Sequence, residues 1–355
     1  MILLKPSLIS GLENLAAAVQ SDRDALQSAL CDSLQSAIKL EHATIPVYLY
    51  ALYSLDADKA PEIADIIQSI ATEEMLHMTL ASNLLNALGG SPQIDHPGFI
   101  PIYPGPLPGG VESDLTVNLA PFSMAQLETF LDIEEPENPI DFKTLAGSAG
   151  QLTIGQFYTA IGKAIVVLGD RAFVNPPRNQ VGPDLMPEAV VVHDVASALL
   201  AINTIIEQGE GTSASPLDGI GDELAHYYRF MQIMKGHLLV PNPQAPDGYS
   251  YTGAALPFDP ASVYNAPSNP ALAPGYPTGS AQAFANDNFN YTYTSLLASL
   301  HNLFNGDVSQ DQMNCAIGLM MSLKGQAKAM MAGIPNPAVI TGPSFEYQPV
   351  NPRSV

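Results

Sequence analysis

Glu74 and His77, within Ala71-Thr72-Glu73-Glu74-Met75-Leu76-His77-Met78, place a carboxylate and an imidazole three residues apart. On an α-helix that spacing stacks the two side chains on one face. The spacing recurs at Glu223-Leu224-Ala225-His226. Carboxylate with imidazole is a donor set for divalent transition metals, which accept both hard oxygen and borderline nitrogen ligands. A Glu from each of two further helices would complete a two-metal carboxylate site. Glu41 and Glu207 are placed to supply them, so the expected ligands are Glu41, Glu74, His77, Glu207, Glu223 and His226.

The elements that carry these residues follow from apolar periodicity. Ile63, Ile67, Ile70, Ala81, Leu84 and Leu88 form one helical stripe, and Glu74 and His77 lie on it where Leu or Ile is expected. Glu41 sits likewise among Leu26, Leu30, Leu34, Ala37, Ile45 and Leu52 on a helix over 24–55. A carboxylate buried without a partner costs several kcal/mol, so these positions call for pairing or a cation. Pro46 predicts a kink near Glu41, and Pro61 suits the first turn of the next helix, which runs to about Leu88. Glu41 and Glu74 are nearly equidistant from the intervening turn, so an antiparallel hairpin brings them level. A second hairpin is expected from a helix over Pro187–Gln208, with Ala196, Leu200, Asn203 and Glu207 inward, and a helix bearing Glu223, His226, Phe230, Ile233 and His237 on one face. Glu73 reads either as a residue behind the ligands or as a solvated flank, and Glu210 is the rival of Glu207. Tyr48, two turns beyond Glu41, reads either as a catalytic partner of Glu74 in oxidation or as a core tyrosine.

Between the hairpins, residues 89–122 are rich in Pro and Gly. Ser123 starts a capped helix through about Ile133, and Asp132 to Ser148 reads as acidic loop. Thr153 opens a helix over Ile154–Leu168. Residues 240–280 form a long Pro/Gly/Asn/Tyr-rich excursion, followed by helices over 281–304 and 309–332. The expected architecture is mainly α, a four-helix bundle over 1–239 with one long crossover insertion at 89–186. Residues 240–355 add a loop and helical hairpin packed on it as part of the same domain.

The net charge of −22 argues against nucleic acid and anionic membrane surfaces as partners. No apolar run of about 18 residues predicts a membrane span, and the N-terminal Met1-Ile2-Leu3-Leu4-Lys5-Pro6 lacks a full signal-peptide core, so a cytoplasmic location is expected. Cys31 and Cys315 are too few for a disulfide framework and are expected as buried thiols. There is no Gly-rich dinucleotide loop, nucleophile elbow or Cys/His zinc pattern.

The chain resembles the ferritin-like domain family associated with iminophenyl-pyruvate dimer synthases of bisindole biosynthesis. The resemblance lies in Leu40-Glu41-His42-Ala43-Thr44-Ile45-Pro46-Val47-Tyr48-Leu49, Glu73-Glu74-Met75-Leu76-His77-Met78, Ile206-Glu207-Gln208-Gly209-Glu210-Gly211, Asp222-Glu223-Leu224-Ala225-His226-Tyr227 and Gly342-Pro343-Ser344-Phe345. It implies a ferritin-like bundle with added C-terminal helices, and oxidative coupling of imines of aromatic 2-oxo acids by much longer proteins. The resulting expectation is a non-haem oxidoreductase holding two Fe ions, or Mn, that uses O2 or peroxide on a small, aromatic-type metabolite. The rivals are a non-enzymatic iron-handling protein and a metal-free structural module. Homo-oligomerisation is compatible with either.

Overall fold

A computed structural model of the chain describes residues 6–17, 23–108, 115–136, 153–211, 215–218, 223–245, 248–272, 275–334, 336–337 and 339–348. Most of the expected acidic loop (137–148) and Asp222 lie outside the described residues. The helices are α1 (Pro6–Ala17), α2 (Arg23–Ser54), α3 (Pro61–Ala87), α4 (Met124–Glu134), α5 (Ile154–Leu168), α6 (Val195–Glu210), α7 (His226–Lys235), α8 (Ala281–Asn305) and α9 (Gln310–Ala332). One short antiparallel ribbon, Val240–Pro241 with Tyr249–Ser250, interrupts the excursion.

The helix ends are set by local chemistry. Pro61 occupies the first turn of α3, where its missing N–H is no loss. Thr153 and Gln156 form a reciprocal capping box at α5, and Asp194 with Ser197 does the same at α6. That cap starts α6 at Val195 rather than at the expected Pro187, and the preceding residues run as irregular chain. Pro46 lies inside α2 without ending it.

The long α2–α3 hairpin is the centre of the bundle. α5 packs on α2 and α6, and α6 packs on α3, so the four meet around one core. α5 thus joins the bundle from the stretch expected to be crossover, while the short α7 packs with α4 against one end of α3 and α6. Fully buried Asn83 fastens the α5–α6 connection to α3, donating from Nδ2 to the carbonyls of Val181 (2.8 Å) and Val190 (2.9 Å). The α8–α9 hairpin covers the opposite side, against α2 and α3. Contrary to expectation the cysteines are not buried: Cys31 is half-buried and Cys315 exposed. No helix among the described residues is long and apolar enough to cross a membrane.

Candidate metal centre

Four helices send carboxylates and imidazoles to one buried point. α2 supplies Glu41, α3 supplies Glu74 and His77, the last residue of α4 is Glu134, and the first residue of α7 is His226. All five are buried. Oε1 of Glu74 lies 3.8 Å from Nδ1 of His77 and 2.9 Å from Nδ1 of His226. Oε2 of Glu41 is 3.9 Å from Nδ1 of His77, and Oε2 of Glu134 is 3.4 Å from Nδ1 of His226. The result is two donor groups, Glu41–Glu74–His77 and Glu74–Glu134–His226, that share Glu74.

The other edge of each ring is held from behind. Nε2 of His77 is 3.0 Å from Oε1 of Gln208, whose amide in turn donates to Oε2 of Glu188 (2.7 Å). Nε2 of His226 is 3.2 Å from Oε2 of Glu73, and Arg229 grips both oxygens of Glu73 and donates to Ser69 (3.1 Å). With Nε2 engaged in this way, each ring turns its Nδ1 toward the carboxylates, the atom a metal would take once it displaces any proton there. The carboxylates are held too: Tyr158 on α5 donates to Glu41 (2.5 Å), Thr44 to Glu74 (3.0 Å), and Tyr48 to Glu134.

Charge explains why this cluster invites a cation. Arg229 offsets Glu73, whereas Glu41, Glu74 and Glu134 share the imidazole of His226 among them, and buried charge without full compensation is strongly unfavourable. Burial, then the Glu74 charge, pushes Glu41 well above the ordinary carboxylate range, and the same two causes raise Glu134. Burial opposes ionisation of Glu74, but contact with His226 outweighs it and draws this carboxyl down. Burial also disfavours a charged His226, yet Glu134, Glu73 and Glu74 together hold its pKa well above the usual imidazole value. Protons therefore stand in the cluster where metal ions would displace them. Nδ1 of His226 has no hydrogen-bond partner, although Oε1 of Glu74 lies 2.9 Å away. A buried ring nitrogen without a partner, beside a shared carboxylate, fits a two-metal donor set.

The sequence expectations divide. Glu41, Glu74, His77 and His226 come together, whereas Glu207 and Glu223 do not join either group. The buried face of α6 carries Ala198, Ala201, Ile202, Ile205 and Gln208, while Leu200 is 52% exposed. The inward phase expected for Glu207 is off by one position, and Gln208 occupies its place. Glu223 fails for another reason: α7 begins only at His226. Glu223 sits in the bridged turn before it, with Leu217 paired to Leu224, and its side chain is exposed. Glu210 accepts from the backbone N–H of Gly155 (2.8 Å) at the start of α5, a favourable place for a carboxylate. A Cβ on Gly155 would meet that carboxylate at 2.8 Å. Tyr48 is fully buried, edge-on to Phe130 and Phe230, with its hydroxyl on Glu134.

Glu134 is not among the ligands expected from the sequence, although Leu127, Phe130 and Glu134 repeat the stripe pattern of Glu74 on one face of α4. A cavity of about 30 Å³ opens on Glu41, Glu74 and Glu134 between Ile133, Ile154 and Ile205. That is room for one water-sized molecule.

Comparison with known proteins agrees with this architecture. The Ferritin-like family pattern matches residues 34–235. A 2-imino-3-(indol-3-yl)propanoate dimerase from Chromobacterium violaceum is 27% identical, over 58% of this chain and 23% of that protein. A dichlorochromopyrrolate synthase from Lentzea aerocolonigenes is 24% identical, over 58% of this chain and 24% of that protein. The chain thus spans about a quarter of the length of these curated relatives. The crystal structure of a ferritin like protein from Caulobacter vibrioides superposes with a TM-score of 0.60 at 23% identity, over 90% of this chain and 97% of that one, a likeness of fold.

Proposed function

The chain belongs to the ferritin-like family, and from that premise we propose that it is a two-metal carboxylate oxidoreductase. The observation that carries this reading is Glu74, shared between two donor groups that each end in an imidazole Nδ1. Glu41, Glu74 and His77 would hold one ion, and Glu74, Glu134 and His226 the other. Two divalent iron ions, or manganese, would supply the electrons for reduction of O2 or peroxide. The protein's own part is to fix the donors. Gln208 and Glu73 hold the rings at Nε2, Tyr158 and Tyr48 orient the outer carboxylates, and the isoleucine-lined cavity keeps bulk water away. Both curated relatives carry names of aromatic biosynthetic reactions, which supports an imine of an aromatic 2-oxo acid as substrate class.

A second reading is metal binding without turnover. It is favoured by the small cavity at the carboxylates, which has no room for an aromatic ring. Oxygen uptake separates the two. Iron-loaded protein supplied with a reductant and a panel of aromatic amino and oxo acids should consume O2 in proportion to metal content. Full loading without any uptake favours the second reading.

A further inference from the structure

A separate cavity of about 80 Å³ lies between α2–α3 and the α8–α9 hairpin. Its lining is mostly apolar, and at one end His42 and Tyr293 meet with Nε2 and the hydroxyl 2.7 Å apart. Both side chains are buried. Nδ1 of His42 is buried and has no hydrogen-bond partner. A buried polar atom left in that state is unfavourable unless something pairs with it.

The wall beside this end is built at a conformational cost. Phe345 adopts φ +52°, a conformation that costs a non-glycine residue of order 1 kcal/mol. The tail is pinned there by Ser344, which bonds Asn286 and Asn290, and the Phe345 ring meets Tyr293 edge-on at 5.2 Å. Five methionines complete the lining: Met75, Met78, Met186, Met313 and Met320. Met75, Met186 and Met320 are partly exposed, and methionine side chains repack readily around different shapes. The volume exceeds the roughly 30 Å³ share of one water and falls below the ~150 Å³ of a cavity that accepts benzene, so a ring enters only as the methionines yield.

We propose that this cavity is a second binding site, for a neutral molecule of one aromatic ring carrying a single hydrogen-bonding group that pairs with His42. The site is independent of the metal centre, although His42, Met75 and Met78 directly follow Glu41, Glu74 and His77 in the chain.

Calorimetric titration of the full chain with phenol and with benzene tests the proposal, with metal content measured on the same samples. Both should bind saturably at one site, phenol about fivefold tighter, which is the worth of one net hydrogen bond. His42→Phe should remove the preference for phenol, and Leu300→Phe, which fills the cavity, should abolish binding of both while metal uptake stays at the wild-type level. Crystals pressurised with xenon give a reading that needs no variant, a single peak beside Leu296, Leu297 and Met78. Absence of saturable binding, wild-type binding by Leu300→Phe, or no xenon peak would each overturn the site. A chain that takes up no metal yet binds phenol refutes the proposed function and leaves this site standing.

Discussion

Nε2 of His226 lies 3.2 Å from Oε2 of Glu73, the residue immediately before the shared carboxylate Glu74. Adjacent glutamates on α3 therefore face opposite edges of one imidazole, Glu73 at Nε2 and Glu74 beside Nδ1. Removing such a partner behind a metal-bound histidine costs about 10- to 100-fold in affinity. Glu73→Gln should weaken metal binding by that factor, as read by chelator competition, while leaving the number of sites unchanged. Arg229→Lys, which keeps charge but loses the two-pronged grip, should fall between the two. Equal affinity in all three proteins would show that Glu73 plays no positioning role.

The ligand assignment has its own contrast. Glu134→Ala should reduce bound iron from about two ions per chain to about one, since it removes a donor from only one group. Glu223→Ala should leave loading unchanged. Metal analysis after anaerobic loading and desalting distinguishes them, and the reverse pattern would restore the register expected from sequence.

Helix α5 is where local sequence and site meet, because it carries Tyr158 to Glu41. Its capping box depends on Thr153. Thr153→Ala should cost about 1 kcal/mol of stability, visible as a lowered Tm and urea midpoint. A change within error would mean that α5 is held by packing alone.

Alkaline pH should unfold the chain through its buried tyrosines. Burial pushes the hydroxyls of Tyr50 and Tyr103 far above 10, where they bond the carbonyls of Pro267 and Ala43. The unfolded chain ionises first, so their contribution is complete below pH 10 and is lost as pH rises, by about 1.4 kcal/mol per unit for each group. Tm measured from pH 8 to 11.5 should drop more steeply in wild type than in Tyr103→Phe. Parallel curves would contradict the assignment.

Much of this was legible in the chain because burial writes itself as periodicity. Glu41, Glu74 and His77 interrupt stripes of Leu and Ile, and a polar group on such a stripe announces a partner. Glu134 carried the same signal on α4 and was hidden by the acidic run that follows it. On α6 the inward position belongs to Gln208 rather than to the expected Glu207, because one position turns a helix by about 100° and only packing against α3 fixes that phase. The start of α7 depends on Leu217 pairing with Leu224, a contact with no local mark. The capping box revealed where α5 begins but not that it would pack between α2 and α6, since that choice is made by tertiary contacts.

The most direct test of the two-metal account is anomalous scattering from crystals of the iron-loaded protein, collected on both sides of the iron edge. The account predicts two adjacent peaks, one among Glu41, Glu74 and His77 and the other among Glu74, Glu134 and His226. A single peak elsewhere, or an empty cluster in protein that has taken up iron, would contradict it.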